Sequence, residues 1–179
     1  MGEREEFWFL RKQNSPFLAS SCLILRQGCG ETVNIADYER CKIAAMYLVT
    51  KRIDFCYGHR LLDYDGICKH PHGHNAVVEV EVRTDRLDSR NMVADFSDIK
   101  RVVKGWIDRE LDHKMILRQD DPLVAPLRQL GEPMYLLESN PTVERIARLI
   151  FDKGRELGVD IVNVRVWETP TSFATYDGE

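Results

Sequence analysis

From Tyr47 onward the chain alternates apolar and polar positions with a regularity that its first 45 residues lack. Tyr47, Val49, Ile53 and Phe55 share one parity. Successive side chains of a strand point to opposite faces, so residues 46–57 read as a strand ending just before His59. Val78, Val80 and Val82 alternate with Glu79, Glu81 and Arg83, which predicts a second half-buried strand carrying His74 at its start. Phe96, Ile99, Val103, Trp106, Ile107 and Leu111 then recur at helical spacing behind Asp95, a good N-cap, and predict a helix over 96–111. Val143, Ile146, Ala147, Ile150 and Phe151 mark a second helix, with Asn140 as candidate cap, Pro141 in its first turn and Gly158 where it stops. Ile161 to Glu168 returns to period two, and Ser172 to Tyr176 is placed to pair back on it as a hairpin. The stretch 114–139 is long for a plain loop. Asp121-Pro122 ahead of Leu123, Leu127 and Leu130, with Gly131 and Pro133 behind, predicts a short helix inside it.

The predicted order is β-β-α-α-β-β, an α+β arrangement with an antiparallel sheet and both helices on one of its faces. All of it lies in residues 46–179, which read as a single domain. Residues 1–45 hold short apolar clusters, Phe7 to Leu10 and Leu18 to Leu25, broken by Pro16, Gly28 and Gly30. With no sustained period, this stretch is read as an N-terminal extension, poorly ordered or weakly docked, in preference to an extra strand pair or helix. Met46 is a candidate natural start.

Composition narrows the function classes. A chain of 179 residues with 44% apolar and 30% charged residues is an ordinary globular protein, and no apolar run approaches the ~20 residues that span a membrane. The net charge of −4 gives no electrostatic case for binding nucleic acid or an anionic membrane, so an anionic substrate would need a local basic pocket. Five cysteines are an odd number and lie scattered, and Gly2-Glu3-Arg4-Glu5-Glu6 is unlike a basic secretory leader. The expected compartment is the reducing cytoplasm.

The chemistry is concentrated in Cys68-Lys69-His70-Pro71-His72-Gly73-His74. All five histidines lie between His59 and His113. Imidazole is the commonest metal ligand, and in an extended segment His72 and His74 share a face with Gly73 leaving room beside them. His59, at the end of the neighbouring strand, is the leading third ligand, and three histidines with one open position make a catalytic zinc site. His70 shares the parity and competes as a ligand on spacing alone. Surface histidines in a Gly/Pro turn are the bland reading. Cys68 can be a fourth ligand, a thiolate acting as general base, or a small inert residue, and the last reading is applied to Cys22, Cys29, Cys41 and Cys56. Asp112-His113 is either a proton-transfer pair or a cap at a helix end.

Taken together, Phe55-x-x-x-His59-x-Leu61, Cys68-x-x-x-His72-Gly73-His74, Met92-Val93-x-Asp95-Phe96, Leu111-Asp112-His113, Pro141-Thr142-x-Glu144 and Glu168-Thr169 resemble the 6-pyruvoyltetrahydropterin synthase / 6-carboxytetrahydropterin synthase family. The resemblance runs over residues 46–179 and leaves 1–45 outside it. It implies the tunnelling fold, with a four-stranded antiparallel sheet and two helices from each subunit and rings of subunits assembled as trimers or dimers of trimers. It further implies one Zn²⁺ per subunit held by His59, His72 and His74, with His70 a bystander. Cys68 falls on the family's catalytic cysteine, Asp112 and His113 on its proton relay, and Glu168 on its pterin anchor, with Thr142 helping to hold the ring. The implied substrate is 7,8-dihydroneopterin triphosphate.

Three positions depart from the family pattern. Tyr57-Gly58 replaces two small residues before the first histidine, Ala76 stands where an aromatic is usual, and Lys114 to Arg118 replaces a Leu-Asn pair. Three residues between cysteine and His-Gly-His resemble the bacterial carboxy-forming branch, which serves queuosine synthesis, rather than the pyruvoyl-forming branch of the tetrahydrobiopterin route. Cys68 itself speaks against the folate-type branch, which carries glutamate there. The expectation is therefore a zinc-dependent 6-carboxytetrahydropterin synthase, a carbon–carbon lyase. The competing readings are a 6-pyruvoyltetrahydropterin synthase and, from another class, a non-catalytic zinc-stabilised oligomer with Cys68 closing the metal site.

Overall fold

A computed structural model of the chain describes residues 23–25, 32–34 and 46–178, and divides it into two compact units, Met1–Ala44 and Ala45–Glu179. In the first unit, Leu23–Leu25 (β1) and Thr32–Asn34 (β2) pair antiparallel, Leu23 opposite Asn34. A strand pair therefore does form where the sequence suggested irregularity, because strands of three residues are too short to establish a period. The Phe7–Leu10 cluster, Cys22, Cys29, Cys41 and the question of docking lie outside the described residues.

The second unit opens with two long strands, β3 (Tyr47–His59) and β4 (His72–Thr84). They pair antiparallel without interruption from Tyr47 opposite Thr84 to His59 opposite His72. Then come three contiguous helical stretches, Phe96–Ile99, a π-helical Lys100–Lys104 and Gly105–Glu110, which together form one helix, α1. Asp95 caps it, its carboxylate accepting from the Ser97 amide at 2.7 Å. The long helix α3 (Val143–Glu156) follows further on and ends in Gly158 at φ +88°. β7 (Ile161–Thr169) and β8 (Ser172–Tyr176) close the chain as the expected hairpin.

These four strands form the antiparallel part of the sheet, but the sheet has six, in the order β6-β5-β3-β4-β7-β8. The two that the sequence reading missed are β5 (Lys114–Arg118) and β6 (Met134–Leu137), on either side of the expected short helix α2 (Val124–Leu130). β5 pairs parallel with β3 and β6 parallel with β5. Strands of five and four residues with contiguous rather than alternating apolar positions carry no period-two signal. Only the helix between them announced itself, and it stops at Gly131, whose φ of +76° suits glycine.

The core lies between one face of this sheet and helices α1 and α3. Ile53, Phe55, Val78, Val80, Val164 and Val166 meet Ile99, Val103, Ile107, Ile146 and Ile150, all at most 5% exposed. Gly154 lets α3 approach β7 closely, since a Cβ there would come within 2.2 Å of Ile161. The opposite face is charged, with Glu79 between Arg52 and Arg165. His59, at 3% exposure, sits where β3, β4 and β5 run side by side.

Candidate metal centre

Strand alternation assigns residues to faces. Phe55, Tyr57 and His59 on β3 point to the helix-covered face, and the register sets His74 opposite Tyr57 and His72 opposite His59. Three imidazoles therefore converge. The Nε2 of His59 lies 3.0 Å from that of His72 and 3.1 Å from that of His74.

The other ring nitrogens explain the orientation. His59 Nδ1 is 2.7 Å from the Pro141 carbonyl oxygen and His72 Nδ1 is 2.8 Å from that of His70. A carbonyl only accepts, so both Nδ1 atoms carry the proton, and two Nε2 lone pairs are left facing each other. Lone pairs at that distance repel unless a cation lies between them. Two ligand nitrogens on a tetrahedral zinc with Zn–N of about 2.0–2.1 Å stand about 3.3 Å apart, so the triad fits a metal ion with little adjustment. Burial holds the His59 ring below its ordinary range, against the Pro141 carbonyl and Glu168, which pull it up. Burial thus favours the neutral form that ligates.

The surroundings are built from backbone and clamps. The loop leaving β3 returns through a short 3₁₀ turn, Ile67–Lys69, and the Leu61 amide donates to the Cys68 carbonyl at 2.9 Å. His70 ends that turn, so its carbonyl, not its exposed ring, serves the site. Asn140 grips Leu62 from both sides, accepting from its amide at 2.9 Å and donating to its carbonyl at 2.7 Å. That grip holds the Pro141 carbonyl behind His59. Asn140 is thus not the cap of α3, as the sequence suggested. Thr142 is, its hydroxyl accepting from the Arg145 amide at 3.4 Å. A residue expected only to hold a ring therefore has a helix-capping role beside the triad. Arg60 forms a paired contact with the buried Asp121, its Nε donating at 2.8 Å, and fixes the loop on the other side of His59.

Glu168 stands beside the triad. It keeps the core-facing parity of Val164 and Val166, at a register shift of the β7–β8 pair between Trp167 and Thr169. Its Oε1 is 3.8 Å from His59 Nε2 and 3.9 Å from His74 Nε2. It also accepts the Tyr57 hydroxyl at 2.8 Å. Burial first, then the Glu168 charge, push the Tyr57 phenol far above its ordinary range, so it remains a donor. Sequence reasoning noted Tyr57 only as a departure from a pattern. Its shared parity with His59 is the signal that would have placed it at the centre.

The other candidates are arranged differently. The Cys68 thiol, half-buried in the 3₁₀ turn, is not among the ligand atoms that lie within 4.8 Å of one another at the triad. Asp112 and His113 are joined, His113 Nδ1 to Asp112 Oδ2 at 2.9 Å, but they cluster with Cys56, on the opposite face of the sheet from Tyr57 and His59. Asp112 Oδ1 accepts the Cys56 amide at 2.8 Å, and the His113 amide donates to the Cys56 carbonyl at 2.8 Å. Partial burial works against the Asp112 charge, but the Cys56 amide and then His113 outweigh it and hold the carboxyl below its ordinary range.

The family model described as 6-pyruvoyl tetrahydropterin synthase matches residues 48–179. Proteins named 6-carboxy-5,6,7,8-tetrahydropterin synthase are similar to the chain in Rickettsia bellii, with 37% identity over 72% of this chain and 98% of the relative. In Haemophilus influenzae the identity is 34% over 73% and 99%. Among solved structures, an uncharacterized protein of Wolinella succinogenes superposes with a TM-score of 0.63 at 29% identity, covering 75% of this chain and 99% of its own. The 6-pyruvoyl tetrahydropterin synthase of Caenorhabditis elegans superposes with a TM-score of 0.58 at 23% identity, over 76% and 98%, which bears on the fold alone.

Proposed function

The chain belongs to the 6-pyruvoyl tetrahydropterin synthase family, with its tunnelling fold, and from that premise we propose that it is a zinc-dependent 6-carboxy-5,6,7,8-tetrahydropterin synthase. It converts 7,8-dihydroneopterin triphosphate and one water to 6-carboxytetrahydropterin, acetaldehyde and triphosphate, on the route to queuosine and other 7-deazapurines. The observation that carries the reading is the convergence of three imidazoles beside a carboxylate. Three protein ligands are the complement of a catalytic rather than a structural zinc site.

His59, His72 and His74 would hold the zinc, which when bound supplies Lewis acidity that makes protons on the substrate's hydroxylated side chain easier to remove. Glu168 accepts paired hydrogen bonds from the amino-pyrimidine edge of the pterin, and Tyr57 holds that carboxylate by donating to it. Thr142 borders the ring. Cys68 Sγ, as thiolate, takes the side-chain proton. His113 exchanges a proton through Nε2 while Asp112 holds its Nδ1–H. Within one chain this pair lies on the sheet face away from the triad, so its role requires a second copy to bring it there. A trimer or dimer of trimers of a cytoplasmic enzyme meets that need.

Product analysis tests the reading. Purified zinc-loaded protein given 7,8-dihydroneopterin triphosphate should release acetaldehyde and triphosphate in equal amounts with 6-carboxytetrahydropterin. Triphosphate without acetaldehyde, with a pyruvoyl product, would move the protein to the other branch. No consumption at all would leave the non-catalytic oligomer.

A further inference from the structure

The loop that carries Cys68 is tied to the end of β5 by two ion pairs of opposite polarity. From the loop, Arg60 reaches Asp121, while Asp63 receives Arg118, whose Nη2 donates to Asp63 Oδ2 at 2.7 Å. β5 runs beside β3 as far as Ile116 opposite His59, so Arg118, just beyond, stands beside the start of the loop. Arg118 is steadied by Asp120 as well, and its side chain is 20% exposed. Asp63 stands at φ +54°, one of three non-glycine residues of positive φ among those described. Aspartate tolerates that left-handed conformation better than most residues, and the Arg118 contact holds its carboxylate there. Between the two pairs, the Leu61 amide donates to the Cys68 carbonyl at 2.9 Å and Asn140 grips Leu62. Further on, the Tyr64 ring packs against Gly66, where a Cβ would come within 2.4 Å of it. The path of residues 60–66 therefore sets where the half-buried Cys68 thiol stands. Asp63 is 81% exposed, and an ion pair that open to water adds little to stability. Its consequence is geometric.

We propose that Asp63 and Arg118 are positioning residues for Cys68, their contact holding the loop so that the thiol keeps one place relative to the substrate. The importance of that place rests on the role in proton removal proposed for Cys68. β5 then serves at both ends, following the Asp112–His113 pair at its start and bracing the loop of the thiol at its finish. Neither Asp63 nor Arg118 touches the substrate. Each acts through the loop backbone, so a loss of either should lower the rate of the chemical step and leave binding of the pterin and zinc in place.

Two variants break the contact from opposite sides. Asp63→Gly removes the carboxylate where glycine is free to keep the positive φ, and Arg118→Gln removes the cation without touching the loop. Zinc-loaded full-length proteins are treated with iodoacetamide, alkylation is followed cysteine by cysteine by peptide mass spectrometry, and kcat and KM are measured with 7,8-dihydroneopterin triphosphate. With the loop released, Cys68 should be alkylated about fivefold faster while Cys56 keeps its wild-type rate, and kcat should fall about tenfold with KM changed less than about twofold. Zinc content and melting temperature should match the wild type. The double variant should be no worse than either single one, because both remove the same contact. Asp63→Asn keeps an acceptor for Arg118 and suits the same φ, so it should restore most of the wild-type behaviour. An unchanged Cys68 alkylation rate in both single variants would overturn the proposal. So would faster alkylation of Cys56 as well, with a large loss of melting temperature, which would mark the pair as a plain structural tie. Alkylation needs no turnover, so a wild type that leaves the pterin unconsumed refutes the proposed function while the Cys68 rates still decide what Asp63 and Arg118 do.

Discussion

At the level of single residues, the proposed ligand set follows from which nitrogen each ring presents. His59, His72 and His74 direct Nε2 to a common point, whereas His70 contributes a carbonyl. Replacing His59, His72 or His74 by Ala should each remove most bound zinc, and His70→Ala should leave it nearly intact, as metal analysis of purified protein would show. Equal loss from His70→Ala would contradict the assignment. The convergence of the three rings was legible because a strand's alternation and one tight turn were enough to align them. Tyr57 was legible in position but not in role, since its bond to Glu168 joins residues 111 apart in sequence. Tyr57→Phe keeps the ring and removes only the donor to a charged acceptor, a bond worth about 1.5–3 kcal/mol. We expect zinc content to be unchanged and KM for the pterin to rise about tenfold. An unchanged KM would show that Glu168 needs no help.

At the level of elements, the long strands and helices announced themselves by period and the short ones did not. β5 and β6 were missed because four or five residues cannot show alternation, and Asn140 was misread because an Asn before Pro looks like a cap. What these local signals could not show is that the loops flanking His59 are tied down by side chains distant in sequence. Arg60 and Asp121 illustrate the strength of such a tie. Burial raises the Asp121 carboxyl, but the Arg60 hydrogen bonds and the Leu123 amide outweigh it and hold the group below its ordinary range. The folded state therefore binds this proton less readily than the unfolded one. The contribution is full above an unfolded pKa of about 3.9 and is lost as pH falls through the lower folded value. Asp121→Asn leaves the largely buried Arg60 unpaired and should cost about 3 kcal/mol at neutral pH. Thermal melting of both proteins should show the gap narrowing below about pH 4. A gap independent of pH would mean that the charge is not what matters.

At the level of the whole molecule, every residue of the described core lies between Ile53 and Val166, within the unit that starts at Ala45. A chain beginning at Met46 should therefore fold, assemble and turn over like the full protein. Size-exclusion chromatography, melting and steady-state rates measure this, and a large loss of melting temperature or assembly would give residues 1–45 a structural role. The sequence made the α+β order legible, yet it could not reveal that Asp112 and His113 face away from the triad. Facing is a property of sheet geometry, and their spacing along the chain carries no trace of it. The account as a whole rests on a metal centre made of three imidazoles and accessible to substrate. Zinc-edge X-ray absorption of protein carrying one zinc per chain tests that most directly. The predicted spectrum shows three imidazole nitrogens and no sulfur, and it changes when 7,8-dihydroneopterin triphosphate is added. A sulfur in the shell, or a spectrum indifferent to the pterin, would contradict the account.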